Sequence, residues 1–153
     1  MLFYKIKKNI NTKFIINKLI NLLMINGKKY KSEKIVFNLL KLLKTNKVKN
    51  PLLLLFKALK NISPLVLVRS IRVKGRSFQV PIPLNELKQL NIGIKWLVKK
   101  SKSEKILKNN PLSYILLQQI NLALKKTGEL ITKKLELHKL AKANRLFANY
   151  RWF

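Results

Sequence analysis

From Phe78 to Leu84 every second side chain is apolar: Phe78, Val80, Ile82 and Leu84 alternate with Gln79, Pro81 and Pro83, after Ser77. A period of two is strand behaviour, because successive side chains of an extended chain point to opposite faces. The two prolines each lack a ladder donor, so this strand belongs at an edge. "VKGR" at 73–76 turns the chain back, which predicts a two-stranded arm over about 65–84. Helix-like segments flank it on both sides, so the arm projects from a helical body.

Phe14, Ile15, Leu19, Leu22 and Leu23 are spaced for a helix over 12–25, with Thr12 as its expected cap. "NGKK" ends it, and Gly27 suits a left-handed cap position. A second helix is expected from a Ser32 cap to about Lys44, burying Ile35, Val36, Leu39, Leu40 and Leu43. Asn50-Pro51 reads as N-cap and first helical residue of a third helix, closed near Asn61 and broken by Ser63-Pro64. A fourth starts at Asn85 or soon after, with Trp96 and Leu97 in the core. Asn110-Pro111 repeats the Asn-Pro start for a fifth helix, and a sixth runs from about Glu129 towards Tyr150. The expected fold is mainly α: a single domain over 1–153, a bundle of about six helices (12–64 and 85–153) with a protruding β-ribbon between the third and fourth.

Thirty-four Lys and Arg stand against five Glu and no Asp, a formal net charge of +29 on 153 residues. Such a chain repels itself when compact, so it calls for a polyanionic partner. The absence of cysteine removes disulfides and thiolate chemistry, and one His without any Asp leaves little for metal or acid–base catalysis. No enzyme activity, cofactor or small-molecule substrate is expected. The densest apolar run, "PLLLLFKAL", is too short for the about 20 residues of a membrane span. A cationic amphipathic membrane-binding protein is the rival class, but it gives no reason for an Arg-rich hairpin.

Three of the five arginines lie in the ribbon, where Arg69, Arg72, Lys74 and Arg76 crowd a narrow hairpin around Gly75. Guanidinium groups bind phosphate bidentately and stack on exposed bases, which lysine does less well. Projected at 100° per residue, Lys134, His138, Lys142, Arg145 and Asn149 share one arc of the last helix, with Leu130, Leu137, Leu140, Phe147 and Ala148 opposite. That is the geometry of a helix laid along RNA. Asn144 falls in the apolar stripe and needs a buried partner. Tyr150, Arg151, Trp152 and Phe153 suit either a bundle cap or base stacking.

"VRSIRVKGRSFQVPIPL" resembles the hairpin signature of the bacterial-type small-subunit ribosomal protein seven family, usually close to V-R-S-R-R-V-G-G-x-x-Y-Q-V-P. "LAKANRLFANYRWF" is similar to the family's terminal motif, near M-A-E-A-N-x-A-F-A-H-Y-R-W, and "LINLLMINGKKYKSEKIVFNLL" to its first helix pair. The resemblance implies a structural constituent of the small ribosomal subunit that binds the 3′ major domain of its rRNA and supports head assembly. It implies a ribbon near exit-site tRNA and the mRNA path, neighbouring head and platform proteins as partners, and no membrane. Carried over by position, Lys28 and Lys29 would contact rRNA, and His138, Asn144, Arg145, Tyr150, Arg151 and Trp152 match the terminal motif, of which His138, Arg145 and Arg151 are expected rRNA contacts. Lys31 and the N-terminal Lys5, Lys7, Lys8 and Lys13 complete the expected rRNA contacts.

Departures are also visible. Val73-Lys74-Gly75 stands where the family has two glycines, and Ile71 replaces an Arg. The N-terminal arm and the C-terminal tail are expected to be shorter than in bacterial relatives. With Lys, Asn and Ile used heavily, as in an AT-biased genome, and no transit-peptide pattern at the amino terminus, this suits an organelle-encoded mitochondrial ribosome. A plastid-type organelle or an AT-rich bacterium is the alternative host.

Overall fold

The computed structural model describes residues 2–45, 50–108 and 110–150, with side chains for 13–44, 50–107 and 110–150. Six α-helices run in the order α1 (Leu2–Leu23), α2 (Lys29–Thr45), α3 (Pro51–Ile62), α4 (Glu86–Lys108), α5 (Leu112–Leu124) and α6 (Glu129–Ala143). Between α3 and α4 the strands β1 (Val66–Val73) and β2 (Arg76–Pro83) form one antiparallel ribbon, and a 3-10 helix over Arg145–Tyr150 follows α6. The predicted fold class is the one observed.

α5 is the hub of the body, with α2, α3 and α4 packed against it and α1 laid against α2 and α4. Its sequence is apolar around most of its circumference, as a helix surrounded by others must be. Ile115, Leu116 and Ile120 are fully buried and join Leu19, Leu39, Leu43, Leu55, Leu59, Ile94 and Leu97 in the core region. α4 seats closely against the end of α3 at Gly93, where a Cβ would stand 2.6 Å from the Ser63 hydroxyl. That hydroxyl is held in place by donating to the Leu59 carbonyl at 2.7 Å.

Two lysines serve helix ends. Lys102 Nζ donates to the Leu22 carbonyl at 2.9 Å, and Lys134 Nζ to the Asn61 carbonyl at 2.7 Å. Cations there meet the negative end of the helix dipole and satisfy carbonyls that lack an intrahelical partner.

The ribbon pairs Val66 with Pro83 through to Val73 with Arg76, leaving Lys74 and Gly75 as a two-residue turn. The pair that closes such a turn is hydrogen-bonded, and pairs alternate from there. Val68↔Pro81 and Val66↔Pro83 therefore fall at positions where the amide points away from the partner strand. The Leu84 amide donating to the Leu65 carbonyl at 3.0 Å fits this phase. The prolines cost the ladder nothing, which is why the strand tolerates them.

Lys74 and Gly75 both have positive φ, 47° and 81°, as a primed hairpin turn of matching twist requires. Lys74 so occupies a left-handed conformation that costs an L-residue with a Cβ roughly 1–2 kcal/mol. Lys74→Gly is expected to stabilise the ribbon by about 0.5–1 kcal/mol after glycine's greater freedom in the unfolded chain is deducted. Slower hydrogen exchange of the ribbon amides checks this; unchanged or faster exchange would contradict it.

Several expected boundaries shift. α1 reaches back to Leu2, so Thr12 lies inside the helix and is not its cap. Ser32 lies inside α2, where its hydroxyl donates to the Lys29 carbonyl at 2.7 Å instead of capping the first turn; serine satisfies itself this way as readily as it caps. Asn50 and Pro51 do start α3, without a side-chain cap bond, whereas in α5 Pro111 is the N-cap and not the first helical residue. The last helix stops at Ala143, and Asn144 leads into the 3-10 turn, so the chain does not continue as one α-helix to Tyr150.

Candidate nucleic-acid interface

The break at Asn144 folds the C-terminal segment onto the ribbon. Phe78 lies 5.1 Å from Phe147 and 5.4 Å from Tyr150, and those two rings are 6.2 Å apart. Aromatic rings at such centroid distances contribute about 0.5–1.5 kcal/mol per pair beyond simple burial. Asn144 Nδ2 donates to the Leu140 carbonyl at 2.9 Å and stands 3.5 Å from Gln79 Oε1. The buried partner expected for Asn144 is thus its own helix end, at a half-buried position. Phe147 and Tyr150 are a clamp on the ribbon, and Val80 beneath is fully buried.

Ribbon residues opposite one another share a face. Arg69, Ile71, Val73, Arg76, Phe78 and Val80 form one face, which the C-terminal clamp covers at Phe78; Ser70, Arg72, Ser77 and Gln79 form the other and are all exposed. The expected arginine cluster is therefore divided. Arg72 lies on the polar face, Arg69 and Arg76 on the opposite one, and Lys74 and Gly75 project at the tip. All five are solvent-exposed.

The arc expected on the last helix is also redistributed. Leu130 and Ala141 are the buried positions of α6, and Lys134, Leu137 and His138, on the same side, are half-buried. Lys134 and His138 consequently face the body and the ribbon base instead of solvent. Lys134 holds the end of α3, and burial lowers the pKa of its ammonium. His138 Nε2 accepts the Leu65 amide at 3.1 Å, which requires that nitrogen to be unprotonated. Lys142, Arg145 and Asn149 are exposed, joined on the outside of α6 by Lys133 and Lys139. In a register fitted to 129–143 alone Lys139 falls opposite Leu130 and Leu137, whereas Lys133 projects between Leu137 and Leu140, and only the packing shows it exposed. Lys133 lies 5.0 Å from the Trp96 ring, which packs half-buried against the core.

The His138 pKa is lowered from its ordinary value by burial and by the nearby Lys134 charge. An imidazole that is harder to protonate when folded than unfolded contributes stability that is present above the unfolded pKa of about 6.5 and lost as pH falls through the lower folded value. Acidification from pH 7 towards 5 is therefore expected to lower the unfolding midpoint and to speed exchange at Leu65, with a smaller pH effect in His138→Gln. An equal pH response in both proteins would show that other groups dominate.

The α1–α2 turn forms a separate basic surface. Asn26 and Gly27 take positive φ, and Lys28, Lys29, Tyr30 and Lys31 follow, all exposed, as is Lys13 on α1. Lys29 is paired with Glu33 at 3.8 Å. The expected contacts at Lys5, Lys7 and Lys8, whose side chains are not described, and at Arg151 lie outside the described residues, as does the motif residue Trp152. Lys100 pairs with both Glu104 and Glu129. Among the described residues the ion pairs of Lys29 and Lys100 use three of the five carboxylates in the chain.

The family described as Ribosomal protein S7p/S5e matches over residues 4–145. The small ribosomal subunit protein uS7 of Dictyoglomus thermophilum is 38% identical over 138 residues, covering 90% of this chain and 86% of the relative. Those of Thermosipho africanus and Wigglesworthia glossinidia brevipalpis are 38% and 37% identical, covering 90% of this chain and 87% and 86% of their own lengths.

Proposed function

The chain belongs to the S7p/S5e family of ribosomal proteins, and from that premise we propose that it binds the 3′ major domain of small-subunit rRNA and organises the subunit head. Its role in the small ribosomal subunit and in translation is structural and non-enzymatic. The observation that carries the rRNA reading is the surplus of 34 cations over five carboxylates, arrayed on exposed surfaces of a folded helical body. Such an array binds by neutralising phosphates and releasing counterions.

In this reading all 153 residues act as one domain. Lys13, Lys28, Lys29 and Lys31 engage rRNA at the first turn, while Lys142, Arg145 and Asn149 engage it beside the ribbon. Lys5, Lys7, Lys8 and Arg151 are further rRNA contacts in this reading. Lys134 and His138 assist from behind, by fixing α6 to α3 and to the ribbon base. Arg69, Arg72, Lys74, Gly75 and Arg76 carry the ribbon towards exit-site tRNA and the mRNA path, among neighbouring head and platform proteins. The heavy use of Lys, Asn and Ile supports a mitochondrial ribosome as the host; the relatives named above are bacterial.

Binding of the full chain to a transcript of the small-subunit head rRNA tests this. Tight binding at low salt that collapses as salt rises is expected. Salt-insensitive binding, or stronger binding to anionic liposomes at matched ionic strength, would favour the membrane-surface reading instead. No helix among the described residues is long and apolar enough to cross a membrane.

A further inference from the structure

Two of the most exposed aromatic side chains lie on one line of α2. Tyr30 is 76% and Phe37 58% exposed, although rings of this size ordinarily bury most of their area. At 100° per residue, Tyr30, Lys34, Phe37, Lys41 and Lys44 fall within a narrow stripe at i, i+4, i+7, i+11 and i+14. All five are exposed, while Val36, Leu39 and Leu43 of the same helix are buried. The stripe therefore faces directly away from the core, and no packing demand of the body accounts for its rings.

Its order is aromatic, cation, aromatic, cation, cation. Lys41 Nζ already lies 4.6 Å from the centroid of the Phe37 ring, so the face of that ring attracts positive charge when nothing else covers it. The stripe also continues from the basic α1–α2 turn at Lys28 and Lys29. Tyr30 and Phe37 are seven residues apart, about 10.5 Å along the helix, which leaves room for two separate stacked bases with Lys34 between them.

Aromatic rings interleaved with lysines on an open surface fit unpaired nucleotides: every base has a face to stack and every linkage a phosphate to neutralise. An apolar protein partner would not need the three lysines, and a duplex would hide its base faces. We propose that the outward stripe of α2 is a stacking platform for an unpaired stretch of small-subunit rRNA, with Tyr30 and Phe37 each taking a base and Lys34 and Lys41 the adjoining phosphates. On binding, Lys41 leaves the ring face that the base takes. This deepens the rRNA reading above and rests on it.

The test compares full-length wild type with Tyr30→Ala, Phe37→Ala, Tyr30→Trp, Phe37→Trp, Lys34→Gln and Lys41→Gln for binding to the head rRNA transcript over a salt series. Each alanine variant is expected to bind roughly five- to hundredfold more weakly, with an unchanged salt slope, since stacking contributes about 1–3 kcal/mol per base and a decade is about 1.4 kcal/mol. The tryptophan variants should retain affinity. Each glutamine variant should flatten the slope of log affinity against log salt by about 0.7, the value for a single-strand phosphate. Alanine variants that bind like wild type would overturn the proposal. So would tryptophan variants as weak as the alanine ones, or alanine variants that bind the transcript normally yet fail to enter the subunit, which would assign the stripe to a protein neighbour. Wild-type binding that ignores salt would sink the rRNA reading and this proposal together, a pattern distinct from those three.

Discussion

Raising monovalent salt from about 50 to 200 mM is expected to weaken binding of the full chain to head rRNA by roughly three to five decades, if about six to ten phosphates are contacted. The expectation follows from how little of the charge is spent internally. Lys29 pairs with Glu33, and Lys100 with Glu104 and Glu129, against a formal net charge of +29. A filter-binding or fluorescence titration at four salt concentrations gives the slope, which is about −0.9 per neutralised duplex phosphate. Replacing Lys28 or Lys31 with glutamine should flatten it by about that increment. Lys134→Gln should act differently: its ammonium is held by the Asn61 carbonyl, so the loss should appear as lower stability with the slope kept.

Leu39→Ala is expected to cost about 2–5 kcal/mol of folding stability, a large share of the roughly 5–15 kcal/mol available to a domain. Leu39 is fully buried on α2, and truncation there removes apolar contacts and leaves a cavity. Phe37, two positions away and pointing outward, should change stability by no more than about 0.5 kcal/mol when replaced by alanine. A urea titration with unchanged m-value separates the two. The contrast should be largest at low salt, where self-repulsion already weakens the compact state. There the Leu39 variant is expected to need RNA or added salt to fold. Equal losses from both positions would mean that α2 is oriented otherwise.

Sequence periodicity located the ribbon closely, because two-residue alternation, a Lys-Gly turn and two prolines all point to the same hairpin. Asn50-Pro51 likewise marked the start of α3. Legibility failed where one residue type has two uses. Ser32 can cap a helix or bond back to its own turn, and only packing decides. Lys134 reads as a solvated cation, yet its long stem lets the ammonium reach the end of α3. The largest error was the arc drawn through Arg145 and Asn149: Asn144 interrupts the helix, and past it the 100° step no longer applies. What draws that segment away is the contact of Phe147 and Tyr150 with Phe78, between positions 65 or more residues apart in the chain. No local pattern encodes it. The division of the ribbon arginines between two faces could have been read from parity alone, since Arg69 and Arg72 are an odd number apart.

The prolines of β2 have a bearing on the time before RNA is met. At Pro81 and Pro83 the missing amides are the outward-facing ones, those that an incoming strand would have to accept from. Along that half of the edge a neighbouring strand would find carbonyls without matching donors, so a second copy gains little by pairing there. Pairing of two copies through this stretch of β2 is therefore disfavoured, even where the ribbon is already formed.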